Sequence, residues 1–256
     1  MKKVIVFAII PFAFLSARSQ GLYMPRDIKA AYKNETRSMD GKPGKNYWQN
    51  RGIYNISITA TPPDRTIRGK ETITYFNNSP DTLRNPVIKL FLNIHKPGAP
   101  RNGGVSADYL NSGVHIDAVT ADGKKVNWPN NPFAFTAQQF RLPASLPPHG
   151  SVQLTFDWHY EISLESNREG MIDSTTYFLA YFYPRVAVYD DYNGWDRMPF
   201  MDDHEFYSDF NDYDVTINVP KNYIVWGTGT LQNPGSLLQP AILQRYNQSF
   251  TSDATI

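Results

Sequence analysis

The segment 151–162, SVQLTFDWHYEI, decides the fold class of this chain. Its apolar side chains alternate strictly with polar ones, which is the period of a β-strand that buries one face. The alternating apolar residues are Val152, Leu154, Phe156, Trp158, Tyr160 and Ile162. The segment therefore predicts a long, half-buried strand.

Other segments on both sides carry strand signals of different kinds. Residues 53–60 alternate in the same way, and residues 70–76 are rich in residue types that favour strands. Residues 87–94 are more continuously apolar, which predicts a strand covered on both faces. Shorter candidates are 114–119, 124–128, 133–142, 177–189, 213–219 and 223–231. Only residues 236–250 suggest a helix, so we expect an all-β antiparallel sandwich or strongly curved sheet of about ten strands.

The first nineteen residues have the features of a secretory signal peptide. Lys2 and Lys3 precede an apolar stretch at 4–15, and Ala17-Arg18-Ser19 offers small residues at a cleavage site. The apolar stretch is about a dozen residues, too short to span a bilayer comfortably, and a retained membrane anchor is the alternative to cleavage. We therefore expect export to the periplasm, the cell surface or the medium, with no membrane association beyond the signal peptide.

Charge and cysteine content narrow the class of protein further. Cleavage after residue 19 leaves 22 basic against 24 acidic residues, a formal balance of −2. No basic patch points to nucleic acid as a partner. The chain has no Cys, so an exported form depends on its core and not on disulfides.

The predicted organisation has four parts. They are a signal peptide at 1–19, an irregular arm at 20–46, a β domain at 47–233 and a linker at 234–256.

Metal-binding patterns are incomplete in this sequence. A zinc hydrolase helix needs two His four residues apart with a Glu beside the first, but His204-Glu205 is followed by Ser208 at the required position. Nine acidic residues lie between 190 and 214, which raises calcium as an alternative to a solvated acidic loop. Their spacing does not match an EF-hand, so the sequence predicts no metal ligands and no catalytic residues in this chain.

A series of short motifs, in order, links the chain to a known family. The motifs are Tyr-x-Ile-x-Ile (54–58), Gly-Lys-Glu-Thr-Ile-Thr-Tyr (69–75), Asn-Asn-Ser-Pro-Asp-Thr-Leu (77–83), Tyr-Pro-Arg-Val-Ala-Val-Tyr-Asp-Asp (183–191), Gly-Trp (194–195), Glu-Phe-Tyr (205–207), Tyr-Asp-Val-Thr (213–216) and Thr-Gly-x-Leu-Gln-Asn-Pro (228–234). Together they resemble the N-terminal domain of the membrane alanyl aminopeptidase (M1) family of zinc metallopeptidases, most of all its exported Bacteroidetes branch.

The resemblance implies a saddle-shaped β domain that packs against a thermolysin-like catalytic domain and forms one wall of its cleft. It implies zinc and peptide substrates for a longer parent protein, whose activity would be the removal of N-terminal residues. Neither Gly-x-Met-Glu-Asn nor His-Glu-x-x-His occurs in this sequence. We therefore expect the chain alone to be inactive, with the catalytic zinc domain as its partner.

The resemblance also implies which side chains face the substrate. They are Tyr181, Tyr183, Arg185 and Glu205. Related proteins often carry Gln or Glu at the position of Tyr181, where that residue binds the free amine; a phenol can accept a hydrogen bond there but supplies no charge.

Other readings of the same residues stay open. The four side chains could simply pack the fold. The chain could be a stand-alone exported module that binds peptides or glycans through its 16 Tyr and 5 Trp, or a hydrolase using carboxylates of the acidic segment.

Overall fold

The computed structural model describes residues 22–129 and 131–255. The predicted signal peptide at 1–19 lies outside these residues. Within the described ranges, no helix is both long and apolar enough to cross a membrane.

The described residues form thirteen strands and few helices. In chain order the strands are β1 (Arg51–Thr59), β2 (Thr66–Phe76), β3 (Val87–Lys89), β4 (His115–Ala121), β5 (Lys124–Lys125), β6 (Ala137–Gln139), β7 (Ser151–Glu161), β8 (Gly170–Asp173), β9 (Thr176–Phe178), β10 (Arg185–Val186), β11 (Tyr189–Asp190), β12 (Gly194–Trp195) and β13 (Asp212–Asn218). The helices are α1 (Arg26–Lys33), α2 (Pro234–Leu237), α3 (Pro240–Ser249) and a 3-10 helix at Phe91–His95. The predicted all-β class is confirmed.

The main sheet has six strands in the order β13-β1-β2-β7-β4-β5. The segment that decided the fold class forms β7, which pairs antiparallel with both β2 and β4. Its alternating apolar side chains are buried, as the sequence predicts. Gly69 of β2 lies opposite Trp158, and the indole ring occupies the space where a Cβ atom would stand. Glycine at this position therefore lets the ring lie flat against the neighbouring strand.

A second layer covers the inner face of this sheet. It contains the three-stranded sheet β10-β3-β6 and the 3-10 helix that follows β3. Val87, Ile88 and Val186 of this layer belong to one buried cluster with the inner residues of the six-stranded sheet. The main core thus lies between the two layers, and the burial of all three β3 residues matches the strand predicted to be covered on both faces.

Several predicted elements differ from the observed ones. The strand predicted at 87–94 ends at Lys89, and its remainder forms the 3-10 helix. The strand predicted at 177–189 is split into β9, β10 and β11, because Tyr181 has a positive φ of 58° and Pro184 has no N–H for a ladder. Residues 223–231 form no strand, and the arm contains α1. The helix expected at 236–250 is present as α2 and α3.

β13 differs from the antiparallel pairing that the sequence predicts. β13 runs parallel to β1, whereas the other strand pairs are antiparallel among the described residues. Parallel pairing places Tyr213, Val215 and Ile217 beside the inward residues of β1. Those three β13 side chains are 46%, 41% and 38% exposed, whereas their partners in β1 are at most 3% exposed. The second layer therefore does not cover the inner face at this edge.

Candidate functional site

Two of the four candidate side chains, Tyr181 and Arg185, pack against two stacked rings, Phe91 and Phe206, and hydrogen bonds connect the other two to them. We call the two rings the Phe91–Phe206 stack; its ring centroids are 3.9 Å apart. Phe91 comes from the 3-10 helix, and Phe206 lies in the motif Glu-Phe-Tyr. Tyr181 meets both rings edge to face, and the Arg185 guanidinium lies 5.3 Å from each ring centroid. The stack thus brings together segments that are far apart in the chain.

Tyr181 and Glu205 form one half of the site, and a third residue joins them. Arg168 donates a 3.0 Å hydrogen bond to the Tyr181 hydroxyl and also pairs with the Glu205 carboxylate. Tyr181 holds a left-handed backbone conformation, which is uncommon for a bulky residue and costs about 1 kcal/mol. Because Arg168 already pairs with Glu205 and donates to Tyr181, the one carboxylate of this half is engaged by a cation of the protein and would have to leave it to bind an amine.

Tyr183 and Arg185 form the other half, which lies beside β13. One terminal nitrogen of Arg185 donates to the Tyr183 hydroxyl at 2.7 Å, and the other donates to the Ser208 hydroxyl at 2.7 Å. The Tyr183 hydroxyl in turn donates to the Tyr213 hydroxyl at 3.0 Å. Burial raises the pKa of Tyr183 above its usual range, so the phenol keeps its proton for this bond. The result is a fixed chain of hydrogen bonds that reaches the uncovered β13 edge.

Glu71 lies beneath this half, in the middle of the inner sheet face. It is opposite Ile56 of β1 and Phe156 of β7, and it is fully buried. Neither of its carboxyl oxygens has a hydrogen-bond partner among the described residues, and the same is true of Arg185 Nε. Burial raises the pKa of Glu71 well above its usual value, whereas the Arg185 charge opposes that rise. The Glu71 carboxyl therefore lies close enough to the Arg185 guanidinium for the two groups to interact electrostatically.

This arrangement suits binding better than proton transfer. Arg168 and Arg185 supply donors to an oxygen-rich group, and the surrounding rings supply flat apolar surface. Glu205, the candidate carboxylate, is already paired with Arg168. The site as built can hold and orient a carbonyl or carboxylate against aromatic rings.

The acidic segment is organised by ion pairs within the fold. Asp191 accepts hydrogen bonds from Arg37 and Thr36 of the arm, and Asp190 also faces Arg37. Burial would raise the pKa of Asp191, but these hydrogen bonds outweigh it and hold the pKa below its usual value. Asp190 titrates together with it, and burial raises the pKa of Asp190 to about 6. These carboxyls thus fix the arm to the β domain.

Zinc, which the resemblance implies for a parent protein, does not fit the residues present. Zinc needs several His, Cys, Asp or Glu ligands around one point. In the part of the chain that the structure describes, no three such side chains come together in this way. His204 is exposed, and its Nδ1 lies 2.9 Å from the carboxylate of the neighbouring Asp203.

Sequence reasoning identified part of this site. It named Tyr181, Tyr183, Arg185 and Glu205. The structure packs Tyr181 and Arg185 against the Phe91–Phe206 stack and connects Glu205 and Tyr183 to them by hydrogen bonds; the role of all four as substrate contacts stays a prediction. Sequence reasoning missed residues that hold them. Those residues are Phe91, Arg168, Phe206, Ser208 and Tyr213, together with the buried Glu71. A Glu inside an otherwise apolar strand face was the one signal available for Glu71.

Comparisons with known proteins give matches only among solved structures. No protein-family model matches the chain. No curated protein matches it either. An M1 zinc metallopeptidase from Deinococcus radiodurans, solved with a Tyr-Ser-Ala substrate, matches at 16% identity and a TM-score of 0.38. The match covers 75% of this chain and 39% of that one.

Two further solved structures are similar to the same degree or less. A two-domain M1 zinc metallopeptidase bound to L-arginine matches at 18% identity with a TM-score of 0.39, covering 75% of this chain and 39% of the other. Leukotriene A4 hydrolase from Saccharomyces cerevisiae matches at 12% identity with a TM-score of 0.27, covering 54% and 19%. This chain therefore spans well under half the length of these relatives.

Proposed function

We propose that this chain is the substrate-cleft wall domain of an exported, zinc-dependent aminopeptidase-like metallopeptidase of the kind common in Bacteroidetes. In this proposal the longer parent protein removes N-terminal residues from peptides, and a separate domain supplies the zinc and the catalytic groups. The ordered series of motifs between residues 54 and 234 supports the proposal.

The observation that carries the proposal is the uncovered inner face of β13. Apolar surface that stays in contact with water does not gain the stabilisation that burial gives, which is about 25 cal/mol per Å². Tyr213, Val215 and Ile217 continue the core face of β1 but stay about two-fifths exposed. Beyond β13 no described residue is buried, and Ile224 and Trp226 are more than three-quarters exposed. Such a face fits a second domain packed against it.

The candidate site lies next to this face. Tyr213 is at once a residue of β13, a stacking partner of Tyr54 at 5.0 Å and the acceptor of the Tyr183 hydroxyl. A domain covering β13 would therefore meet Tyr183 and Arg185 at its border. This closeness of the candidate side chains to the uncovered face supports the cleft-wall proposal.

Val215→Thr tests the uncovered face, with Val119→Thr as its matched control. Val119 points into the closed core and is 4% exposed. Burying an unpaired hydroxyl there costs about 1–3 kcal/mol, whereas the same change on an exposed face costs less than about 0.5 kcal/mol. We expect urea unfolding of the isolated chain to show this difference, and hydrophobic-dye binding to fall only in Val215→Thr. Equal destabilisation by the two changes would show that the β13 face is already covered.

Measurements of zinc content and peptidase activity test whether a separate domain supplies the zinc and the catalytic groups. The purified chain should bind no stoichiometric zinc and should not cleave an aminoacyl anilide, because it lacks the ligands that activate water. Turnover by the chain alone that a chelator abolishes would refute the proposal.

A further inference from the structure

A groove lies on the surface of the molecule, and none of the four candidate side chains lines it. It has a volume of about 740 Å³, which falls within the range of about 300–1,000 Å³ for small-ligand sites. The groove is lined by residues 82–85, Gln139 at the end of β6, Tyr189, residues 193–195 and residues 197–199. None of these segments contributes to the Phe91–Phe206 stack.

Two arginines give the lining of the groove a positive charge. Arg84 and Arg197 both line it, and both are exposed. Neither arginine forms a salt bridge within residues 22–129 and 131–255, and no Asp or Glu is among the lining residues. Two like charges facing one groove repel each other, so an anion bound between them would relieve that repulsion.

Arg197 is held on a rigid backbone. The preceding Asp196 forms a buried ion pair with Lys89 at 2.8 Å, and its other oxygen accepts the Met198 N–H at 2.9 Å. Lys89 also donates to the Met198 carbonyl at 2.7 Å. The residues on either side of Arg197 are therefore fixed, and Arg197 lies between them in the lining of the groove.

Arg84 is held in a similar way on the opposite segment. The preceding Leu83 exchanges backbone hydrogen bonds with Leu146 at 2.7 and 2.8 Å. The carbonyl of Arg84 accepts the Leu142 N–H at 2.9 Å. Both arginines thus come from anchored backbone, so a ligand has to order their side chains but not the backbone that carries them.

The rest of the lining offers amides and aromatic rings. The side-chain amides of Asn85 and Asn193 make no hydrogen bond to the described protein, and both line the groove. Tyr189 is fixed by a 2.8 Å hydrogen bond to Asp81, and its ring meets Trp195 edge to face at 5.1 Å. Free amides can both donate and accept, which matches hydroxyl groups that do the same.

We propose that this groove binds an acidic oligosaccharide, in which carboxylates of successive uronic acid units reach Arg84 and Arg197. A guanidinium holds a carboxylate through two parallel hydrogen bonds. The hydroxyls of the sugar ring pair with Asn85 and Asn193, and the ring lies near Tyr189. An acidic peptide also carries carboxylates, but it lacks the dense hydroxyls that the free amides match.

Calorimetric titration of the purified protein with trigalacturonate tests this proposal. The matched neutral ligand is α-1,4-galactotriose, which has a hydroxymethyl group in place of each carboxylate. We expect saturable binding of trigalacturonate that weakens with added salt, and at least tenfold weaker binding of the neutral sugar. Equal binding of the two sugars, or no saturable binding of trigalacturonate, would overturn the proposal.

Substitutions locate the binding to the groove. Arg84→Gln and Arg197→Gln should each weaken trigalacturonate binding about tenfold. Arg245→Gln on α3 is the matched control, because Arg245 is an exposed arginine away from the groove, and it should leave binding unchanged. Circular dichroism checks that the variants fold. Loss of binding in Arg245→Gln, unchanged binding in the groove variants, or tighter binding of a triglutamate peptide at the same groove would each contradict the proposal.

Discussion

At the residue scale, the burial of Glu71 lowers the stability of the fold. Its carboxyl is buried on an apolar sheet face without a hydrogen-bond partner among the described residues. Because the folded state raises its pKa, Glu71 contributes more stability at low pH and loses it as pH rises above its unfolded pKa of 4.5. Glu71→Met should therefore raise the free energy of unfolding by about 1–3 kcal/mol at pH 7.

Urea denaturation at pH 5 and pH 8 measures this effect. The gain from Glu71→Met should be larger at pH 8, because the wild-type carboxyl is harder to keep neutral there. Glu161→Met, at the exposed end of β7, serves as the control and should change little. A destabilised Glu71→Met variant would mean that the Glu71 carboxyl has a stabilising partner.

Asp209 provides a separate pH dependence. Burial raises its pKa from 3.8 to about 7. The folded state therefore binds a proton that the unfolded state has lost, and the contribution of Asp209 to stability falls as pH rises from about 4 to about 7. In the wild type, we expect this effect to lower the free energy of unfolding by about 2 kcal/mol between these pH values, allowing for solvent screening. Asp209→Asn should abolish that pH-dependent loss. Unfolding curves at pH 4.5 and 7.5 measure this change in the free energy of unfolding. Asp214→Asn on the exposed β13 is the control. The prediction would be contradicted if the stability of Asp209→Asn depended on pH as strongly as that of the wild type.

Residue types near a site were easier to predict than residue contacts. The family resemblance named Tyr183 and Arg185 through the motif Tyr-Pro-Arg at 183–185, and their contact with a substrate stays a prediction. Arg168 could not be found this way, because it lies in a loop without a motif and reaches Tyr181 only through the fold. A side-chain contact between distant segments depends on packing that periodicity does not encode.

At the element scale, the arm is the clearest test of how loops are held. Arg37 binds Asp191 at 2.8 Å, and the Asp191 side chain is only 2% exposed. Arg37→Met would leave that carboxylate buried without its cation. Since Arg37 itself is partly exposed, we expect a loss of about 1 kcal/mol, with faster hydrogen exchange in α1. Lys42→Met, which removes a fully exposed pair with Asp40, is the control; unchanged exchange in α1 after Arg37→Met would show that other contacts hold the arm.

Long strands were predictable, and short ones were not. β1, β2 and β7 each bury one face over nine or more residues, so period-two alternation was visible in the sequence. β10, β11 and β12 have two residues each, too few to show any period. Their pairing depends on contacts with β3 and on a hairpin, and both are tertiary features.

At the scale of the whole molecule, the all-β class followed from the sequence, but the order of the strands did not. β13 is distant from β1 in sequence and joins it in parallel, a pairing that no local pattern reveals. The sequence predicted only that residues 213–219 form a strand. The structure leaves the apolar face of β13 open, and this open face is the basis for proposing a covering domain.

The most direct test of this account is to read and translate the nucleotide sequence that follows the Ile256 codon. The account predicts that Gly-x-Met-Glu-Asn and then His-Glu-x-x-His follow in the same or a shifted frame, which would supply the zinc ligands and the base that this chain lacks. A stop codon followed by unrelated sequence in all three frames would contradict the cleft-wall assignment.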